Sequence, residues 1–194
     1  MISITTLPLG AYQTNCYVVR EESASQCVVI DPGYEPENIL SFLKSQNLEL
    51  EAILLTHGHF DHVGAVRKLV AATDCQVYLQ PVETTMPQQM TAGPLYYTKE
   101  YPNQFEAAGL SFRVISTPGH TPGSVCLLCQ DAMFSGDTLF AGSCGRTDFP
   151  GGDWATIRRS LAMLRDLPSD YRVFPGHGEA TTLEIERRSN PYLR

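Results

Sequence analysis

Apolar residues recur along this chain in two alternating rhythms, period two and period three to four, and the alternation outlines the elements of a fold. Short apolar runs at residues 2–6, 16–20 and 27–30 end at Pro, Gly or charged positions and predict strands. The turn Asp31-Pro32-Gly33 interrupts the chain. A helix is predicted from Pro36, a residue suited to a first helical position, with Ile39, Leu40 and Leu43 along one face. Residues 52–55 form the next strand, Val63, Val66 and Val70 return at helical spacing, and residues 76–79 return to strand.

Residues 81–105 carry Met86, Met90, Pro94, Tyr96, Tyr97 and Tyr101 in neither rhythm, and read as an irregular surface excursion or as one rim of a site. Beyond them strands are predicted at 111–116, 124–128, 132–134 and 172–174. A helix capped by Asp153 places Trp154, Ile157, Leu161 and Leu164 on one face, and a last helix covers 182–190. With 194 residues, 43% of them hydrophobic, and no linker or repeat, the chain is expected to form one domain over 1–194. Its class is α/β (α+β), with two sheets packed together and helices outside.

Lys and Arg number 14 against 21 Asp and Glu, a formal charge of −7 that repels a nucleic-acid backbone or an anionic membrane. No window approaches the roughly 18 consecutive apolar residues of a spanning helix. Residues 1–10 lack the basic start and apolar stretch of a secretory signal. The expectation is a soluble, cytoplasmic protein with a small-molecule partner, no nucleic acid or membrane, and no obligatory protein partner. The six cysteines, Cys16, Cys27, Cys75, Cys126, Cys129 and Cys144, are expected to be buried free thiols. Cys126 and Cys129 tempt a zinc reading, but three positions apart on a strand they face opposite sides.

All five histidines follow apolar strand-like runs, in loops punctuated by Gly or Pro. Three of them crowd into His57-x-His59-x-Asp61-His62. Residues at i and i+2 of an extended turn project the same way, so His57 and His59 can share one cation. Asp61 and His62, opening the following helix, turn toward a second. Chance yields such a cluster with probability on the order of 10⁻⁴ over all windows. Packed without metal, these imidazoles would repel on protonation, whereas a cation uses every lone pair.

The segment Thr56-His57-Gly58-His59-Phe60-Asp61-His62-Val63-Gly64 resembles the hallmark of the metallo-β-lactamase superfamily. Thr117-Pro118-Gly119-His120-Thr121-Pro122-Gly123-Ser124 is similar to its second motif, Ser135-Gly136-Asp137-Thr138-Leu139-Phe140 to its third, and Phe174-Pro175-Gly176-His177-Gly178 to its last. Asn190-Pro191-Tyr192-Leu193-Arg194 resembles the family's usual ending, so the likeness covers nearly the whole chain. It implies a four-layer αββα sandwich of two mixed β-sheets flanked by helices, with the site at one edge between the sheets. It assigns His57, His59 and His120 to one ion, Asp61, His62 and His177 to another, and Asp137 to the bridge between them. The implied nucleophile is a hydroxide between the ions, oriented by Asp61. Imidazoles with a hard bridging carboxylate suit two divalent ions, zinc first and iron or manganese as alternatives. Asp31 is a supporting residue behind the ligands by resemblance, and a plain turn aspartate by its local sequence.

The run Gly136-Asp137-Thr138-Leu139-Phe140, followed by Cys144-Gly145-Arg146-Thr147-Asp148-Phe149, is similar to the short, single-domain members of the glyoxalase II (hydroxyacylglutathione hydrolase) branch. That resemblance implies thioester hydrolysis, S-lactoylglutathione to D-lactate and glutathione. Two-domain members grip glutathione through a C-terminal helical region, for which residues 178–194 are too few, so the thioester is implied more firmly than the glutathione. Arg146 reads either as a fork for a substrate carboxylate or as half of a local ion pair. The rival reading is a persulfide dioxygenase with one iron, acting on glutathione persulfide, because Gly145-Arg146-Thr147-Asp148-Phe149 is similar to that branch as well.

Overall fold

The computed structural model describes residues 1–194. Six strands, β1 (Ile2–Leu9), β2 (Thr14–Glu21), β3 (Gln26–Ile30), β4 (Glu49–Leu54), β5 (Gln76–Leu79) and β6 (Lys99–Glu100), form the first sheet in chain order. Its first two pairings are antiparallel and the other three parallel. The second sheet takes β7 (Gln104–Ala107), β8 (Leu110–Ser116), β9 (Val125–Cys129) and β10 (Ala132–Gly136) as a meander. A hairpin, β11 (Leu139–Phe140) and β12 (Ser143–Cys144), leaves it. The sheet is then completed by β13 (Arg172–Pro175), parallel to β10, and β14 (Thr181–Thr182). Helices α1 (Pro36–Ser45), α2 (Phe60–Val63), α3 (Val66–Thr73) and α4 (Gln88–Thr91) accompany the first sheet; α5 (Trp154–Arg165) and α6 (Leu183–Ser189) accompany the second.

Period-two alternation divides the apolar side chains among three layers of core. Along β2, Cys16 and Val18 face α1 and α3, where Ile39, Leu43, Val66 and Leu69 meet them. Tyr17 and Val19 face the other sheet, joining Ile30, Leu54, Phe112, Leu127 and Phe134 in the layer between the sheets. From β9 and β13, Cys126, Leu128 and Val173 pack outward on Ile157, Leu161 and Leu164 of α5 and on Leu183 of α6. Cys126 and Cys129 thus lie in different layers, and none of the six cysteines is paired. Each large side chain buried in this way contributes about 1.5–3 kcal/mol, so the fold is a four-layer αββα sandwich of two mixed sheets held chiefly by these layers. No helix is long and apolar enough to cross a membrane.

Several elements depart from expectation: β4 begins at Glu49 rather than at residue 52, and β7, β11, β12 and β14 fall where the pattern predicts no strand. Strand β1 runs past residue 6 and through Pro8, opposite Asn15. As an edge strand it has one neighbour, so a position without a donor is tolerated. Residues 81–105 hold a 3-10 turn (Pro81–Thr85), α4 and β6, each too short to show either period. The predicted cap forms: the Asp153 carboxylate accepts from the Thr156 N–H at 2.7 Å.

Parallel strands β3, β4, β10 and β13 all end at the same edge of the sandwich, and Asp31, the 55–59 turn, Asp137 and the Gly176-His177 turn follow directly from those ends. Crevices outside the carboxyl ends of parallel strands are where α/β folds place ligands.

Leu127 is fully buried between the sheets and Ile185 is 53% exposed. Leu127→Ala is expected to lower the unfolding free energy by about 2–5 kcal/mol and Ile185→Ala by no more than about 0.5 kcal/mol. Urea denaturation of both variants checks this, and equal losses would contradict the layer assignment.

Candidate metal centre

The turn after β4 buries His57 completely and leaves His59 extended just before α2. One turn of helix then aims Asp61 and His62 at the same space. His120 arrives on the β8–β9 loop, Asp137 on the residue after β10, and His177 two residues after β13. Only a glycine fits at 176, because a Cβ there would lie 2.2 Å from Asp137 Oδ1.

One donor atom each from His57, His59 and His120 lie within 4.8 Å of one another, as do donors from Asp61, His62 and His177. Asp137 stands between these groups. Its Oδ1 is 3.4 Å from His62 Nε2, while its Oδ2 is 3.4 Å from His120 Nε2 and 3.6 Å from His177 Nε2. His59 Nδ1 lies 2.9 Å from His120 Nε2, and Asp61 Oδ2 lies 3.2 Å from His177 Nε2. Donors about 2.0–2.2 Å from a common cation should be about 2.8–3.6 Å apart; these pairs fall in that range, and His62 Nε2 to Asp61 Oδ2 lies just beyond it at 3.7 Å. His57 Nε2, His59 Nε2, His62 Nε2 and Asp137 Oδ1 are buried without a hydrogen-bond partner. Such an orphan costs about 1–3 kcal/mol; those of His57, His62 and Asp137 face the crevice, where cations rather than protein would match them, while His59 offers its Nδ1 there. The residues present fit two divalent ions.

Behind the donors, a layer of hydrogen bonds sets each ring. His62 Nδ1 donates to Asp31 Oδ2 at 2.9 Å and His120 Nδ1 to the Arg146 carbonyl at 2.7 Å. His57 Nδ1 meets Thr56 Oγ1 at 3.1 Å, and His177 Nδ1 meets the Tyr12 carbonyl at 3.3 Å. Each of these four rings therefore turns its Nε2 inward. Asp31 also accepts from the Thr56 N–H at 2.8 Å and the Thr56 hydroxyl at 2.6 Å, so its oxygens are occupied behind the ligands. It holds a left-handed backbone, φ 51°, of the kind found at functional turns.

The imidazoles divide electrostatically. Burial, reinforced by the neighbouring rings of His62 and His59, pushes His57 well below the ordinary imidazole value; burial and His120 push His59 down to about 4. For His62, burial opposes the charged form, but Asp137, Asp31 and Asp61 outweigh it and lift the group to about 9. His177 is likewise raised against the effect of burial, by its hydrogen bond to Asp61 and by Asp137. Burial would raise Asp61, yet the hydrogen bond from His177 and the charges of His62 and His177 hold it far below the usual carboxylate range.

All seven ligand candidates of the sequence meet in this crevice, with Asp31 behind them. The Arg146 guanidinium does not reach the donors. It pairs bidentately with Asp148 at 2.7 and 2.6 Å and lies over the Phe149 ring, 3.8 Å from its centre, so the local ion pair is the reading its geometry supports. Three supports have no signature in the sequence. Thr14 donates to Asp61 Oδ2 at 3.2 Å, Asn15 Nδ2 ties down the Pro175 and Gly178 carbonyls, and Glu83 sits fully buried behind the histidine turn. Each acts across a long sequence separation, which no local pattern reports.

A family model described as the metallo-beta-lactamase superfamily matches residues 9–177. The chain belongs to the metallo-β-lactamase superfamily. This superfamily member is 33% identical to the hydroxyacylglutathione hydrolase GloC of Haemophilus influenzae, across 99% of the chain and 98% of that relative. The crystal structure of BLEG-1 B3 metallo-beta-lactamase superposes with a TM-score of 0.89 at 36% identity, covering 98% of this chain and 99% of that one. A di-iron-bound form of TTHA1623 superposes with a TM-score of 0.85 at 40% identity, covering 97% and 100%.

In the metal-free protein His62, lifted to about 9, carries a proton at pH 7. An ion that takes its lone pair must displace that proton. Zinc titration of metal-free protein by calorimetry, in buffers of different ionisation enthalpy, is expected to show net proton release at pH 7. The release from His62 shrinks above pH 9, where the ring is already neutral. A buffer-independent heat at pH 7 would contradict this.

Proposed function

We propose that the protein is a dinuclear metal-dependent hydrolase that cleaves a hydroxyacyl thioester, S-lactoylglutathione or a close analogue, to the hydroxy acid and the thiol. The observation that carries the reading is the Asp137 carboxylate standing between two three-donor groups, with its own Oδ1 and the Nε2 atoms of His57 and His62 buried without a partner. Divalent ions held there would polarise an acyl carbonyl and lower the pKa of water toward about 7. Asp61, kept ionised by its neighbours and held by Thr14 and His177, is the carboxylate placed to orient the attacking water. The rings fixed from behind by Asp31, Thr56 and the Arg146 carbonyl keep their lone pairs aimed at the crevice throughout. A thiolate leaves without a proton donor, since thiol pKa values lie near about 8.5, so the chemistry required of the site is the attack on the carbonyl.

The likeness to GloC supports the thioester, and the di-iron form of TTHA1623 supports iron beside zinc and manganese as occupants. The formal charge of −7 disfavours a nucleic acid or an anionic membrane as partner, and the proposed reaction, on a small thioester of the cytoplasm, calls for neither, nor for a protein partner. The likeness to BLEG-1 makes a β-lactam the substrate to test against.

Elemental analysis of protein expressed without added metal, beside assays on S-lactoylglutathione, glutathione persulfide and a β-lactam, tests the proposal. Two ions per chain with thioester cleavage are expected. One iron per chain with oxygen uptake on the persulfide would make the protein a dioxygenase instead, and preferential β-lactam cleavage would overturn the substrate class. Asp137→Ala removes the shared donor. It is expected to lose both ions and on the order of 10³-fold or more in kcat/KM, the equivalent of about 4 kcal/mol. Two tightly held ions in that variant would remove Asp137 from the bridge.

A further inference from the structure

Glu83, behind the histidine turn, is a carboxylate without exposure. It lies in the 3-10 turn Pro81–Thr85, far in sequence from every ligand candidate. One oxygen accepts the Gly58 N–H at 2.6 Å and the other accepts the Gly123 N–H at 2.6 Å. Gly58 is the residue between His57 and His59, and Gly123 lies in the loop that carries His120. The contacts leave no room for slack. A Cβ at Gly58 would come within 2.7 Å of Leu95 and within 3.2 Å of the Glu83 carboxylate, and one at Gly123 within 2.7 Å of that carboxylate. The carboxylate therefore ties together the two loops that hold all three donors of one group. Asp61, His62 and His177 hang on α2 and on the turn after β13, which Glu83 does not touch.

We propose that Glu83 is a positioning residue for the His57–His59–His120 group alone, setting the separation of its two loops and hence the affinity of one ion of the pair. The proposal rests on the dinuclear reading. Its chemistry calls for a carboxylate specifically: both partners are N–H donors, so both oxygens must accept. A glutamine keeps the shape but turns an NH₂ toward one of the amides, setting donor against donor. Hydrogen bonds to a charged acceptor are the strong class, and the loss of a partner behind the ligands typically weakens metal binding about 10–100-fold.

The test is chelator competition on metal-free protein reloaded with zinc, resolving the two stepwise affinities for wild type, Glu83→Gln and Glu83→Asp. One affinity is expected to fall about 10–100-fold in Glu83→Gln while the other moves less than about threefold. Glu83→Asp, shorter by one methylene but still a double acceptor, should fall between. Leu127→Ala serves as the control for destabilisation alone, and its ratio of affinities is expected to match wild type despite a lower Tm. If both affinities fall together in Glu83→Gln, or if only the Tm moves, the role assigned to Glu83 is wrong. Wild-type protein that binds fewer than two ions would instead overturn the dinuclear reading, so the two failures are distinguishable.

Discussion

Imidazole nitrogens buried side by side repel when protonated and go unpaired when neutral, and one edge of this sandwich is built around that constraint. His57 and His59 are driven toward the neutral form by burial and by neighbouring imidazoles, while the carboxylates that His62 faces favour its charged form. Left to themselves these groups would frustrate the packing. Shared cations remove the conflict, because each lone pair then has a partner and the carboxylates offset the ions' charge. The crevice is thus a place where the chain accepts unfavourable burial in the interest of chemistry.

That burial has to be rigidly supported, and the support comes from both sheets. Asp31, at the end of β3, reaches His62 directly and His57 through Thr56. Asn15 and Tyr17 of β2 hold the Pro175 carbonyl of the opposite sheet at 3.0 and 2.5 Å, fixing the approach of the turn that carries His177. Glu83 does the same for the remaining two loops from outside either sheet. The donors are consequently fixed by interactions that cross between layers, and the three apolar layers beneath set the distance those interactions must span.

The same construction explains how relatives that share this fold carry names as different as hydroxyacylglutathione hydrolase and B3 metallo-beta-lactamase. At the rim of the crevice Phe149 and Phe140 stand edge-on to His59 and His177, and Tyr12 packs edge-on against Phe60. Arg146, turned onto Asp148 and Phe149, belongs to that rim as a structural pair, while its carbonyl fixes His120.

The hydrophobic periods of β2, β3, α1, α3 and α5 were legible from the chain because each spans several repeats of its period, and the histidine cluster because its spacing is local. The alternation on β2 and β9 even separates the two faces that become different core layers, and with them Cys126 from Cys129. Residues 81–105 were opaque for the converse reason: a five-residue 3-10 turn and a four-residue helix are stabilised by what they pack against rather than by their own sequence. The amino-acid sequence by itself determined the donor types, the elements that carry them and the architecture those elements form. Only the tertiary structure decided which way Arg146 turns, that Asp31 backs the ligands rather than joining them, and that Glu83 belongs to the site at all. The contacts of Asp31 and Glu83 join residues 25 or more positions apart, and a pairing of that kind exists only once the layers have brought the partners together.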